Sequence, residues 1–251
     1  MENNPKDIVS PLLNNSLETS IGLTIDDLNK YLSAVQTPSD ILLDQDRMYE
    51  GLFHSDCLNG LKRIPEESID LIITEPPIEK FKTREENISF SIEDIYDWNN
   101  NWLSEAKRVL KKTGSIYILT GWRYSSMYHT LLGDYFKVQS RIIWKSKIKK
   151  QVKINSWVNS TSDIWFATKT DDYLFRGLDK TDKILNNNLF EQNKLDLWLD
   201  IPEETQNFEK HAQIIYMNIL KASSVSLNWV LDPFMAFGDV GVASKNLGRR
   251  F

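Results

Sequence analysis

The groups in this chain best able to do chemistry sit at the ends of two short apolar runs. Thr74-Glu75-Pro76-Pro77-Ile78 follows Ile69-Asp70-Leu71-Ile72-Ile73, a run apolar enough to form a buried strand. A strand running into a Pro-Pro turn places a carboxylate and backbone carbonyls at the carboxyl edge of a sheet, where open α/β folds bind ligands. The second run, Trp229-Val230-Leu231, ends in Asp232-Pro233-Phe234 and leads on to Gly238 and Gly241. A third acid, Asp56, stands beside Cys57; by residue type alone it is an acid after a strand, and His211 alone is a helix-start residue. With Cys57 as the one cysteine, an internal disulfide and a multi-cysteine zinc site are both excluded. His54, His129 and His211 form no spaced metal-ligand set, and no phosphate-binding glycine loop is present.

The elements that must position these residues can be read from periodicity. Residues 1–45 read as an Asn-, Ser- and Thr-rich arm carrying one helix, Thr24 to Val35, which Thr24 and Asp27 open as a capping box and Pro38 ends. From Leu52 strands and helices alternate, the texture of a largely parallel sheet with helices on both faces, so 46–251 reads as one α/β domain. Glu93 to Leu110 is expected to be an amphipathic helix stopped by Lys111-Lys112-Thr113-Gly114, and Ser115 to Thr120 the strand after it. Further strands are expected at Arg141 to Trp144 and Asp163 to Thr168, a polar insertion at 176–209, and helices at Lys210 to Ala222 and Val240 to Asn246.

Length and composition set the frame. At 251 residues, 41% hydrophobic and 26% charged, the chain can bury a full α/β core. No apolar run approaches a membrane span and the N-terminus lacks a signal-peptide pattern, so the expected setting is intracellular, without a membrane. A net charge of −5 argues against indiscriminate nucleic-acid binding. Its distribution is uneven: Arg141, Lys145, Lys147, Lys149, Lys150 and Lys153 form an acid-free run flanked by Trp144 and Trp157, a candidate for DNA phosphate contact. With eight Trp the chain also has aromatic surface to spare for stacking on bases or for an interface.

Four of these segments, in this order, resemble the motifs of the β-class DNA amino-methyltransferases, and the resemblance spans residues 52–251. It implies a Rossmann-like fold that uses S-adenosyl-L-methionine. Phe53-His54-Ser55-Asp56-Cys57-Leu58 is similar to the family's Gly-Asp-Cys-Leu segment, which would put Asp56 and Cys57 at the cofactor adenine. Glu75-Pro76-Pro77-Ile78 stands where the family has Asp-Pro-Pro-Tyr, the acid and a proline carbonyl holding the target amine while the aromatic ring stacks on a base flipped out of the duplex. Asp232, Phe234, Ala236, Gly238 and Asp239 fall on the cofactor loop Asp-Pro-Phe-x-Gly-x-Gly-Thr-Thr-Gly, which a Leu247-Gly248-Arg249 turn follows. Lys210-His211-Ala212-Gln213 matches the family's His-Pro-Thr-Gln in His211 and Gln213 only.

The departures fall on the reactive positions. Glu75 extends the carboxylate by one methylene, about 1.5 Å, where a misplacement of about 1 Å can cost roughly a hundredfold in rate. Ile78 cannot stack as a ring does. Ala236 replaces the first cofactor-loop glycine, and Asp239 puts a negative charge where the cofactor carboxylate would lie. The family's next strand ends in an acid that grips the cofactor ribose, and the sequence ends at Phe251, before it. The expectation is therefore a family member with eroded motifs, binding DNA or a partner methyltransferase as a homo- or heterodimer and transferring little methyl alone. The alternative is an active adenine or cytosine amino-methyltransferase.

Overall fold

The computed structural model describes residues 48–77, 91–145, 160–176, 196–198 and 208–251, with Leu32, 34–37, Ser39 and Trp157; for 208–212 it describes backbone only. Eight strands and five helices lie in these residues: β1 (Val35–Gln36), β2 (Leu52–Phe53), α1 (Cys57–Leu61), β3 (Ile69–Thr74), α2 (Ile92–Val109), β4 (Leu110–Thr120), α3 (Trp122–Tyr135), β5 (Lys137–Lys145), β6 (Thr161–Thr168), β7 (Leu197–Trp198), α4 (Phe208–Ser223), β8 (Val230–Leu231) and α5 (Asp239–Asn246).

Six strands form one sheet in the order β7-β5-β6-β4-β3-β8. β3 is parallel to both β4 and β8, and β5 to β7, while β6 runs antiparallel to its neighbours β4 and β5. Only β6 is therefore reversed, and the sheet is mostly parallel as its sequence texture suggests. Alternate residues feed two cores. Ile72, Ile116, Ile118, Trp165 and Ala167 pack under α2 and α3 on one face, and Leu71, Ile73, Tyr117, Ile164 and Phe166 pack under α4 and α5 on the other. Strands buried on both faces must be apolar throughout, which is why β3 reads as a continuous apolar run.

Helix α2 begins at Ser91 with a capping box to Asp94. Its stop differs from the expected one. Leu110 passes directly into extended backbone (φ −72°, ψ 134°), and Lys111 to Gly114 belong to β4, forming an irregularity between the pairs Ile69↔Leu110 and Leu71↔Ser115. Gly114 serves packing there, since a Cβ would come within 2.7 Å of Leu110 Cγ and 3.0 Å of the Asp70 carbonyl oxygen.

Three further readings change. Val35, expected to close a helix, lies in β1, which pairs in parallel with β2; Thr24 lies outside the described residues. The expected insertion 176–209 contains β7, paired with Ile143 and Trp144, and the first residues of α4. Helix α3 is absent from the sequence reading. Its buried Ser125, Tyr128, Leu131 and Leu132 have helical spacing, but polar Ser126, Thr130 and Gly133 between them dilute the apolar stripe.

A buried polar hub joins α2 to α3. Asn99 Nδ2 donates to the Ile95 carbonyl at 2.8 Å, and Asn99 Oδ1 accepts from Trp102 Nε1 at 2.9 Å and from Tyr128 Oη at 2.8 Å. At the opposite edge of the sheet from the strand ends, Asp70 stitches the central strands. It accepts from Lys111 Nζ at 2.8 Å and from the Trp229 backbone N–H at 2.8 Å. These bonds hold β3, β4 and β8 in register, so their carboxyl ends emerge side by side.

Candidate active site

Because β3 and β8 are parallel neighbours, the two reactive turns must meet at one edge, and a single bond documents it. Thr74 Oγ1, at the last position of β3, donates to Asp232 Oδ1, just past β8, at 2.6 Å. Asp232 Oδ1 also accepts the Phe234 backbone N–H at 3.1 Å, which closes the Asp-Pro-Phe turn. Burial raises the Asp232 carboxyl to about 6, with Glu75 and Asp239 adding to the rise and the Thr74 and Phe234 hydrogen bonds opposing it. Tyr216 of α4, 7% exposed, has its hydroxyl pushed up by burial and then by Glu75, Asp232 and Asp239. Three carboxylates from three different segments therefore act on one buried phenol.

An open crevice enclosing about 940 Å³ of empty space lies beside β8, within the range of small-molecule clefts. Its walls include Met48, Leu52, Phe53, Trp229, Leu231 and Phe251, and Asp56, Cys57 and Asp232 open onto it. Glu75, Pro76 and Pro77 do not line it. They follow β3, one strand further into the sheet, with Glu75 exposed and Pro76 buried. Asp56 is the N-cap of α1, its Oδ1 accepting the Leu58 and Asn59 backbone N–H groups at 3.1 and 3.2 Å. The Cys57 thiol is raised to about 11, by burial first and Asp56 second, so it stays protonated near neutrality and is a poor nucleophile.

The cofactor-loop residues have distinct surroundings. Phe234 turns away from the crevice and packs on Trp98 and Trp102, with ring centroids 5.2 and 5.3 Å apart, pinning the turn to α2. Ala236 has φ +44° and Gly238 φ +80°, so the loop keeps a left-handed residue where Ala236 stands for glycine. Gly238 takes the N-cap position of α5 with no side-chain cap bond. Asp239, expected to cap that helix, is instead its first residue. Gly241 lets Phe251 cross α5, since a Cβ there would lie 2.6 Å from Phe251 Cε1. Arg249 of the Leu-Gly-Arg turn donates from Nη2 to the Ser224 carbonyl at 2.9 Å and from Nε to Ser224 Oγ at 3.0 Å, tying off the end of α4.

Of the basic run, Arg141 is committed to an ion pair, its Nε 2.9 Å from Asp163 Oδ1, with the Asp163 side chain 3% exposed. Lys145 ends β5 and is exposed. Lys147, Lys149, Lys150, Lys153 and Ile78 lie outside the described residues, as does the side chain of His211. Among the described residues no group of three or more His, Cys, Asp or Glu could hold a metal ion, and no helix is long and apolar enough to cross a membrane. Tyr216 and the Thr74 hydroxyl escaped the sequence reading because their roles come from a contact between β3, β8 and α4 that no local spacing encodes.

The family pattern for DNA methylases of the N6/N4 type matches residues 69–251, taking in both strand-end turns. The chain belongs to the N6/N4 DNA methylase family. It is 30% identical over 220 residues to the Type II methyltransferase M.HpaI of Haemophilus parainfluenzae, covering 80% of this chain and 68% of that protein. To the Type II methyltransferase M2.DpnII of Streptococcus pneumoniae it is 29% identical over 226 residues, covering 80% and 82%. Among solved structures, the cytosine-N4-specific PvuII DNA methyltransferase matches with a TM-score of 0.64 at 15% identity, over 86% of this chain and 82% of that one. A DNA modification methylase of Thermus thermophilus, solved with S-adenosyl-L-methionine, matches with a TM-score of 0.58 at 20% identity, over 78% and 84%. These structural likenesses establish the methyltransferase fold.

The residues present fit S-adenosyl-L-methionine unevenly. The crevice offers apolar walls and the Asp56 carboxylate to a nucleoside, and the left-handed backbone at Ala236 and Gly238 preserves a close-approach loop. At the loop end, Asp239 adds a third carboxylate to Glu75 and Asp232.

Proposed function

We propose that this family member binds DNA, alone or paired with a second copy or a partner methyltransferase subunit, and transfers methyl groups weakly or not at all unaided. One observation carries the reading: Glu75, Asp232 and Asp239 converge on the same stretch of sheet edge, where burial and the other two acids already hold Asp232 near 6. A zwitterionic cofactor with its own carboxylate meets excess negative charge there. Glu75 also carries its carboxylate one methylene further than the aspartate of the family motif, which changes the reach of the group that would orient an amine.

When bound, S-adenosyl-L-methionine would supply an electrophilic methyl group, with Asp56 and the crevice walls holding its nucleoside and Gly238 and Asp232 near its methionine part. The chain's own contribution would be the Glu75 carboxylate and the Pro76 carbonyl, two acceptors that draw the hydrogens of an exocyclic amine out of plane. That frees the lone pair for in-line attack. Such an active adenine or cytosine methyltransferase is the second reading, favoured by the open crevice beside Asp56 and Asp232.

Titration calorimetry with S-adenosyl-L-methionine, alongside transfer of a labelled methyl group to DNA, separates the two readings. A Kd of about 1 µM with methylated DNA decides for the enzyme, and absence of heat at about 1 mM cofactor supports the subunit reading. Asp239→Thr, which removes the added charge, is expected to tighten cofactor binding about tenfold, equivalent to about 1.4 kcal/mol. Methylation that survives Glu75→Ala would overturn the assignment of Glu75.

A further inference from the structure

The strands β8, β3 and β4 are consecutive neighbours and parallel, so the segments that follow them stand side by side at the carboxyl edge. The middle one holds Glu75-Pro76-Pro77. On the β4 side stands Trp122, the first residue of α3, with 57% of its surface exposed. Its orientation follows from helix geometry. Ser125 and His129, at i+3 and i+7, share its flank, and both touch Trp165 of β6. Ser125 Oγ accepts from Trp165 Nε1 at 3.0 Å, and the His129 ring lies 4.8 Å from the Trp165 indole.

That flank therefore faces the sheet. Trp165 is level with Ile118 in β4, and β4 ends at Thr120. Helical side chains lean toward the helix N-terminus, so Trp122 projects past the last residues of β4 and β6 with no strand beneath it. An indole on a sheet-facing flank is normally covered, and this one is open because the sheet has run out. The Arg123 guanidinium lies 5.6 Å from its ring centroid. The connection from β5 to β6, which carries the lysine-rich run, leaves the sheet at the same edge. An exposed indole backed by a guanidinium and flanked by a basic segment is a stacking platform for a nucleobase whose phosphates track the cations.

We propose that Trp122, backed by Arg123, is the residue on which this chain stacks a base of bound DNA, a role that the aliphatic Ile78 cannot fill. The proposal rests on the reading that the chain binds DNA at this edge, and it assigns the contact to α3 instead of the Pro-Pro turn.

Fluorescence anisotropy on the full chain tests it with two labelled probes, a short single-stranded oligodeoxyadenylate and an abasic strand of equal length and charge. The wild type is expected to prefer the adenylate. Trp122→Ala is expected to weaken adenylate binding about tenfold and leave abasic-strand binding unchanged, while Trp122→Phe, which keeps a ring, recovers most of the loss. Circular dichroism checks that both variants keep their fold, as expected of an exposed helix-start position. Unchanged adenylate binding by a folded Trp122→Ala protein overturns the assignment, and so does an equal loss on both probes. A wild type that binds neither probe overturns the DNA-binding reading and this proposal with it. Because cofactor binding is measured separately, a chain that is silent to S-adenosyl-L-methionine yet prefers adenylate through Trp122 leaves the stacking site standing.

Discussion

Replacing Ala236 by glycine should make the protein more stable, although the substitution enlarges no contact. Ala236 has φ +44°, in the left-handed region, and its side chain is exposed. A left-handed conformation costs an L-residue with a Cβ about 1–2 kcal/mol. Glycine has no such cost but loses more chain entropy on folding, about 0.5–1 kcal/mol relative to alanine. Removing an exposed methyl group sacrifices almost no buried area, so the balance is a net stabilisation of about 0.5–1 kcal/mol. For a chain of this length that corresponds to a rise in Tm of roughly 1–4 °C. Thermal unfolding by circular dichroism, with urea titration to check that the m-value is unchanged, measures it. A fall in Tm, or no change, would mean that position 236 does not hold a left-handed residue and that the loop does not keep the family's backbone in the absence of the family's glycine.

Two further substitutions test the packing around the site. Asp232→Asn should change stability in a pH-dependent way. A carboxyl whose folded pKa, about 6, lies above its ordinary value of 3.8 binds its proton more tightly in the folded state. Its contribution is thus most favourable below about pH 4 and is lost as pH rises through about 6. The asparagine variant should accordingly gain on the wild type by up to about 2–3 kcal/mol between pH 4 and pH 7, as read from urea midpoints across that range; a constant difference would refute the raised carboxyl. Asn99→Ala leaves the buried Trp102 Nε1 and Tyr128 Oη without their shared acceptor and is expected to cost about 2–4 kcal/mol. A loss below about 1 kcal/mol in urea unfolding would show that the hub does not bind α2 to α3.

The positions that anchor the site were legible in the sequence because they carry local signatures. The Pro-Pro turn after β3 and the Asp-Pro-Phe turn after β8 are each readable from a few adjacent residues, since proline fixes φ and ends a strand wherever it occurs. The capping box of α2 at Ser91 and Asp94 sits within one turn of helix in the same way, although the expected start of that helix at Glu93 missed it. The alternation that divides Ile72, Ile116 and Ile118 from Leu71, Ile73 and Tyr117 is also local, being the two-residue period of a strand buried on both faces.

Where a role depends on which strand lies next to which, sequence spacing falls silent. Gly114 looked like a helix stop and proved to be the narrow point of a bulge against Asp70, on a strand that the whole of α2 separates from it in the chain. Asp239 looked like a helix cap and became one of three acids around Tyr216. Arg141 belonged to a basic run by sequence, and an ion pair with buried Asp163 claimed it.

The sequence by itself determined the fold class, the order of strands and helices in the main domain and the chemical types at both strand-end turns, because each is set by periodicity or by one residue's backbone limits. Only the tertiary structure decided that Thr74 bonds Asp232, that Phe234 points away from the crevice, and that Trp122 overhangs the sheet edge. Those facts arise when parallel strands from distant parts of the chain are brought about 5 Å apart, and a pairing of that kind leaves no trace in the spacing of either strand.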